Sequence, residues 1–567
     1  MRLARIAVAL MLALVACDAG ERSAEPPTTP TDLPADTVSD PASSSTLVGG
    51  QDPSSAACWS SPPADGEEGI AFSDQTETLG LVAPLTGIYG HAAVWGDLTG
   101  DGYLDLFVGT FADRDVEDYQ VRGGVGPAPD RLLTRDGGGP FQLFGGFEDM
   151  FTRTSGGAVV DLDNDGDLDL VLSRNWNDDI PDAPGTQVMR NDGTSFTALP
   201  IAATPAEFGG RSVGVIDYNA DGLMDLFIVE DRWSGGRSTL LENRGDLVFE
   251  DVTAAAGIPP GVHGLGVAVA DLNGDGAGDL LVTGSNRLFV ATGDGSFAEA
   301  NSSVFGWQVY DDEDDVAGVS VADVNRDGLL DVLIGQHYNS TVDDGRLVPV
   351  RLYLNRGTDA DGAPSFEDVT EAAGLVGLPT KAPHVEINDM DNDGWPDLVT
   401  TASAGDGTVP AIFRHNGLSG DVPTFSVPDG LGNAQYWVAG PTADFDRDGR
   451  LDLLLVEWEP SLPSVLLRNE SASGNWLQVS VDPDRSYGIG WLVEVFEADG
   501  LDEPEELLGA REITVTQGYS AGVAPIAHFG LGEVAVVDVR LTAPGGETHE
   551  VKGLEANQHV RLPDGCG

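Results

Sequence analysis

Asp161-Leu162-Asp163-Asn164-Asp165-Gly166-Asp167-Leu168-Asp169 is the stretch whose reading decides the fold. Five of its nine residues are aspartates, and a glycine sits at the sixth position. The pattern D-x-[D/N/T]-x-D-G-x-x-D recurs from Asp97, Asp217, Asp271, Asp323, Asp389 and Asp444, so seven copies lie about 58 residues apart. One copy is compatible with chance. Seven in register define an internal repeat, and a repeat of this length points to stacked supersecondary units.

The chemistry of the repeat is that of a Ca²⁺ loop. A hard cation takes roughly six to eight oxygens at about 2.3–2.6 Å. Side chains at positions 1, 3 and 5 converge inside a tight turn. They are Asp97, Thr99 and Asp101; Asp161, Asp163 and Asp165; Asp217, Asn219 and Asp221; Asp271, Asn273 and Asp275; Asp323, Asn325 and Asp327; Asp389, Asp391 and Asp393; and Asp444, Asp446 and Asp448. Position 7 adds a backbone carbonyl, from Tyr103, Asp167, Leu223, Ala277, Leu329, Trp395 and Arg450. Position 9 closes the loop with Asp105, Asp169, Asp225, Asp279, Asp331, Asp397 and Asp452. Mg²⁺ fits this set less well, because it prefers a smaller octahedron and keeps its waters. The loops concentrate neither Cys nor His, which argues against zinc. Position 12 is Val108 or Leu172 rather than a bidentate Glu, so the loop is not an EF-hand. About seven structural Ca²⁺ are expected.

Each loop joins two strands, as VAVAD before Asp271 and LLVTG after it. A third strand with an N-x-G-like turn follows, as in LLENRGDLVF, and then a segment such as FEDVTAAAGI. Four strands per unit and seven units predict an all-β seven-bladed β-propeller over residues 66–470. The hairpins resemble the FG-GAP/VCBS repeats of integrin α-subunit propellers and of bacterial surface proteins. The last unit lacks an F-x-D-x-T segment of its own, and AFSDQTETLGL near the start resembles one. Phe72 to Thr76 is therefore expected to supply the outer strand of the last blade.

From Gly474 the pattern changes to short alternating strands with Gly-rich turns, which predicts a small β-domain over 474–563. Asn475-Trp476-Leu477, Gly488-Ile489-Gly490, Gly518-Tyr519-Ser520 and His528-Phe529-Gly530-Leu531-Gly532 resemble the ASPIC/UnbV domain. Trp491 and the acidic insertion EADGLDEPEE depart from that pattern. Together with the repeats, the domain resembles the cartilage acidic protein family and its bacterial lipoprotein relatives. That resemblance implies an extracellular, acidic, calcium-binding propeller protein with no settled reaction.

Residues 1–17 read as a signal peptide, with Arg2 and Arg5 ahead of a short apolar run. Leu14-Val15-Ala16-Cys17 looks like a lipobox, which implies lipidation at Cys17 after cleavage. Residues 18–65 are rich in Pro, Ser, Thr, Asp and Gly and read as a disordered tether. Cys58 and Cys566 are the cysteines left over, and an oxidising compartment predicts a disulfide between them. No other segment is long and apolar enough to span a bilayer, so membrane attachment is expected through the lipid alone.

The chain has 93 acidic and 29 basic residues, a formal net charge of −64. Such a field repels phosphate and excludes a nucleic-acid partner. Twenty-four of the acids are aspartates at the side-chain ligand positions of the loops, and seven Ca²⁺ would reduce the charge to −50.

Positions 1, 3 and 5 before each loop's first Asp share one face of the innermost strand. They are mostly small or apolar, but the sixth unit places Asn388, Glu386 and His384 there. This trio is a possible ligand or extra metal site, or a hydrogen-bonded network filling the channel. Arg244-Gly245-Asp246 spells an adhesive tripeptide in a position that turn chemistry already explains. Neither G-x-S-x-G nor H-E-x-x-H occurs, and no catalytic constellation is recognised. The expectation is a non-enzymatic protein of the cell envelope or exterior that binds a protein or glycan. The alternative is a propeller-based polysaccharide lyase or hydrolase with structural calcium.

Overall fold

The structure is a computed structural model. It describes residues 45–46, 57–64, 66, 69–121, 123–204, 207–305, 316–337, 347, 350–404, 409–458, 462–501 and 503–563. Cys17 and Cys566 lie outside the described residues, as do the signal peptide and most of the segment read as a tether. Among the described residues no helix is long and apolar enough to cross a membrane.

Seven sheets carry one acidic loop each, and each is a four-stranded antiparallel meander at its core. In the second sheet the strands are Thr154–Val160, Asp169–Arg174, Gln187–Asn191 and Phe196–Pro200, in spatial order. The loop joins the first and second strands, as the alternation around it predicts. Second strands such as Asp105–Thr110, Asp225–Glu230 and Asp331–Gln336 are buried at every residue. They lie between neighbouring strands within a blade and between neighbouring blades, hence their continuous apolar runs.

The innermost strands need small residues where blades crowd together. A Cβ on Gly156 would sit 2.4 Å from Arg211 O, and one on Gly266 would sit 2.3 Å from Ala317 O. Both glycines stand five residues before the first aspartate of their loops.

Phe72–Asp74 pairs antiparallel with Val465–Asn469, the closure the sequence predicts for the last blade. A further set of hydrogen bonds chains the blades, and sequence reading missed it. In the third strand an Asn amide donates to the second loop residue of the preceding blade. Asn191 reaches Leu98 O, Asn243 reaches Leu162 O and Asn355 reaches Leu272 O, each at 2.8 Å, and Asn469 reaches Met390 O at 2.7 Å. In the first blade Arg135 takes this role and donates to Phe445 O of the last at 2.7 Å, which closes the ring. The N-x-G signal in these strands is thus an inter-blade contact as well as a turn. Replacing the buried Asn469 by Ala should cost about 1–3 kcal/mol, because two carbonyls lose their donor. Chemical denaturation of the variant measures this, and a change under about 0.5 kcal/mol would refute the role.

The C-terminal region forms two sheets around one apolar core that includes Leu477, Val493, Val539 and Val560. One sheet contains Asn475–Val481, Ala527–Gly532 and Gln558–Leu562, and its edge strand is Ala57–Ser60. This corrects the reading of 18–65 as tether throughout. Trp59 explains the difference, since its ring lies 5.1 Å from that of the buried Trp476. Ser45–Thr46 likewise pairs with Thr548–Glu555. Cys58 is disulfide-bonded, and its expected partner Cys566 lies outside the described residues.

Candidate metal centres

The seven loops share one hydrogen-bond scheme. The first aspartate accepts the backbone N–H groups of positions 5 and 6, as Asp97 does from Asp101 at 3.1 Å and Gly102 at 2.8 Å. The fifth-position carboxylate accepts the N–H of position 7, as Asp221 does from Leu223 at 2.9 Å. The buried ninth-position aspartate holds two backbone groups. Asp169 accepts Leu162 N at 3.2 Å from the loop and Asn191 N at 2.7 Å from the third strand.

Left-handed backbone is required at two positions. Position 6 is glycine throughout, for example Gly166 at φ 93°. Position 4 is also left-handed in every loop, including Ala220 at 58° and Arg447 at 63°. The sequence pattern leaves that position unrestricted and gave no sign of it. Where it is Asn or Arg, its side chain bridges to the next loop: Asn164 donates to Gly222 O at 3.2 Å and Asn392 to Gly449 O at 2.8 Å. Arg447 of the last loop donates to Gly102 O of the first.

Three loops gather three carboxylate oxygens within 4.8 Å of one another and could hold a metal ion. They are Asp161, Asp163 and Asp169; Asp389, Asp391 and Asp397; and Asp444, Asp446 and Asp452. The third-position oxygen is telling. Asp163 Oδ1, Asn325 Oδ1, Asp391 Oδ1 and Asp446 Oδ1 are all buried without a hydrogen-bond partner. Orphaned buried oxygens at one repeated position match a cation donor set.

Without a cation the carboxylates are poorly solvated. Burial, with a contribution from neighbouring loop acids, raises Asp105 and Asp169 to about 7 and Asp225 and Asp279 to about 8. Arginines offset some of this repulsion: Arg414 pairs with Asp391 at 2.7 Å and Arg468 with Asp446 at 2.6 Å.

The C-terminal domain sits on the loop face and contacts five of the loops through polar groups. Tyr487 OH donates to Gly166 O at 2.6 Å, Gln478 to Asp444 at 3.1 Å and Gly545 N to Gly276 O at 2.9 Å. Asp323 N donates to Ala510 O at 3.2 Å, and His528 Nε2 lies 2.8 Å from Asn392 Oδ1. A Cβ on Gly530 would lie 1.9 Å from Asp389 Oδ2, and one on Gly449 would lie 2.0 Å from the Trp476 ring. Three of the residues that carried the C-terminal resemblance, Trp476, His528 and Gly530, therefore meet the propeller directly.

One segment of that domain, residues 511–523, enters the axial channel. Ala521–Gly522 pairs in parallel with the inner strand Gly90–Gly96 of the first blade. Gly518 and Val319 exchange backbone hydrogen bonds at 2.8 and 3.2 Å. Ser520 N donates to Ser212 Oγ at 3.4 Å.

His384, Glu386 and Asn388 receive this plug. Tyr519 N donates to His384 Nδ1 at 3.2 Å, and His384 Nε2 lies 3.1 Å from Glu386 Oε1. Asn388 donates to Glu386 at 2.7 Å and accepts from Arg511 at 2.8 Å. All three side chains are buried and partnered within the chain. The structure thus corrects the reading of them as a possible ligand or metal site to the alternative, a hydrogen-bonded network. Its partner is a loop far away in sequence, so inner-strand alignment could not show it. Arg244 of the R-G-D tripeptide is likewise engaged, by Glu242 and Glu250.

This geometry accords with comparisons to known proteins. The FG-GAP-like repeat family matches residues 161–228, 217–282 and 389–455, and the ASPIC and UnbV family matches 482–565. The chain carries FG-GAP-like repeats and an ASPIC and UnbV domain. It is 30% identical to cartilage acidic protein 1 of Homo sapiens over 364 residues, 60% of this chain and 51% of that one. The Mus musculus protein is 30% identical over 381 residues, 63% of this chain and 55% of that one. The chain thus spans about half the length of these curated relatives. Integrin alpha-4 of Xenopus laevis is 33% identical over 112 residues, 19% of this chain and 10% of that one. Among solved structures, exotype rhamnogalacturonan lyase YesX aligns with a TM-score of 0.35 and 12% identity, covering 72% of this chain and 75% of that one.

Proposed function

We propose that the seven loops hold Ca²⁺ as structural ions, and that the chain is an exported, Cys17-lipidated propeller that binds a protein or glycan at the cell envelope. The orphaned third-position oxygens, repeated in four loops, carry the calcium reading. Side-chain oxygens at positions 1, 3, 5 and 9 and the carbonyl at position 7 would supply the donors. The ion would supply charge neutralisation where carboxylates are crowded and buried.

The binding reading is supported by exposed aromatics away from the loop face. The C-terminal domain occupies the loop face, and residues 511–523 enter the channel. Phe151 and Trp233, in connections of the second and third blades remote from the acidic loops, are 50% and 57% exposed. Exposed aromatics suit a glycan ring or a protein partner.

Elemental analysis of dialysed protein tests the metal reading. About seven calcium per chain are expected, falling by one in Asp163→Ala. A chain that retains no calcium at saturating concentrations would refute it. A glycan and envelope-protein array probed with wild type and Trp233→Ala tests the binding reading: equal signals from both would reject it.

A further inference from the structure

We propose that the cavity between the loop face of the propeller and the C-terminal domain binds a sugar acid, an organic anion of monosaccharide size, through Arg447, Arg511 and Arg561. The cavity measures about 430 Å³ and is walled by the first and last loops, the C-terminal strands and the channel plug. That volume lies in the range of small-molecule sites, roughly 300–1,000 Å³.

The charges decide what it suits. In a chain of 93 acids and 29 bases, an arginine ordinarily finds a carboxylate. Three arginines line this cavity, and none forms an ion pair among the described residues. Arg447 donates to Gly102 O and stacks at 3.6 Å over the Tyr103 ring. Arg511 spends two donors on Asn388 and Ile387. Arg561 is half-buried, and its guanidinium makes no hydrogen bond or ion pair among the described residues. A guanidinium has five N–H donors, so each arginine keeps capacity for an oxyanion.

The acids of the wall do not compete once the loops are filled. Glu386 is committed to His384, Asn388 and Thr442. Asp97, Asp101 and Asp444 belong to the first and last loops, so the proposal rests on those loops holding Ca²⁺. Two bound ions would add four positive charges to the wall and offset most of its carboxylate charge. Trp59 offers a half-buried ring to a sugar face, and Gln478 and the neutral His559 can bond hydroxyls.

The test is isothermal titration of the full chain in saturating calcium with D-glucuronate, D-glucose and acetate. Glucuronate should bind at least about tenfold more tightly than either, because only it joins a carboxylate to a ring. Arg561→Gln should weaken glucuronate by at least about tenfold with melting temperature and calcium content unchanged. Arg561 is the cleaner choice, since Arg447 also bridges two loops. Glucuronate that binds no better than glucose, or equally well to Arg561→Gln, would overturn the proposal, and acetate equal to glucuronate would overturn the sugar. Calcium content measured on the same samples separates the readings. Loaded protein without glucuronate binding rejects the cavity alone, and protein that takes up no calcium rejects both.

Discussion

Chelation with EDTA should lower the melting temperature by at least about 10 °C. An ion bound to the folded state alone stabilises it by about 2.7 kcal/mol at a hundredfold excess over its Kd, and seven sites act together. They act on one connected ring, because position-4 side chains and third-strand amides link neighbouring loop regions at every junction except that of the third and fourth blades. The pH dependence gives a sharper signature. Without the ions, burial holds Asp225 and Asp279 at about 8 and Asp105 and Asp169 at about 7 in the folded chain. Unfolding returns them to roughly 3.9. Between those limits the folded state binds more protons than the unfolded one, so stability falls as pH rises. The chelated protein should therefore melt at a higher temperature at pH 5 than at pH 8. With saturating Ca²⁺ the order should reverse, because the ion binds the deprotonated carboxylates. Calorimetry at both pH values, with and without calcium, reads this directly. A chelated protein whose melting temperature climbs with pH would contradict it.

Gly518→Ala should unseat the channel plug. Gly518 has a φ of 63°, and an added Cβ would lie 2.5 Å from His384 Nδ1 and 2.8 Å from Val385 O. The left-handed backbone costs an alanine about 1 kcal/mol, and the collision adds a few more by overpacking. The plug can relieve it only by leaving the channel, which would strip Asn388 of Arg511 and His384 of Tyr519. Hydrogen exchange over 511–523 should speed up by at least about tenfold while exchange in the outer strands of the blades stays near wild type. Unchanged protection of the plug would show that it is not seated by this contact. A uniform loss of protection across all blades would mean that the plug and ring form one cooperative unit.

These two experiments fall on either side of what could be read from the sequence. The loops were legible because their oxygen-bearing residues recur at fixed positions within nine residues, and the strands because burial imposes its own local alternation. The ring closure by Phe72 was legible because one outer-strand segment was missing at one end and present at the other. Position 4 was not, since alanine, asparagine, glycine and arginine all occupy its left-handed backbone. Nor was the double role of the N-x-G asparagine, whose partner lies about ninety residues away for Asn191 and Leu98.

The sequence by itself determined the repeat, its oxygen-rich chemistry and the all-β architecture, because each rests on contacts within a few residues. Only the tertiary structure decided how the C-terminal domain is used. Its Gly-rich turns read as turns until Gly530 meets Asp389 and Gly518 meets His384, and the polar trio read as a site until the plug filled it. Those meanings come from surfaces brought together across more than a hundred residues, and no local pattern encodes which surface will be opposite.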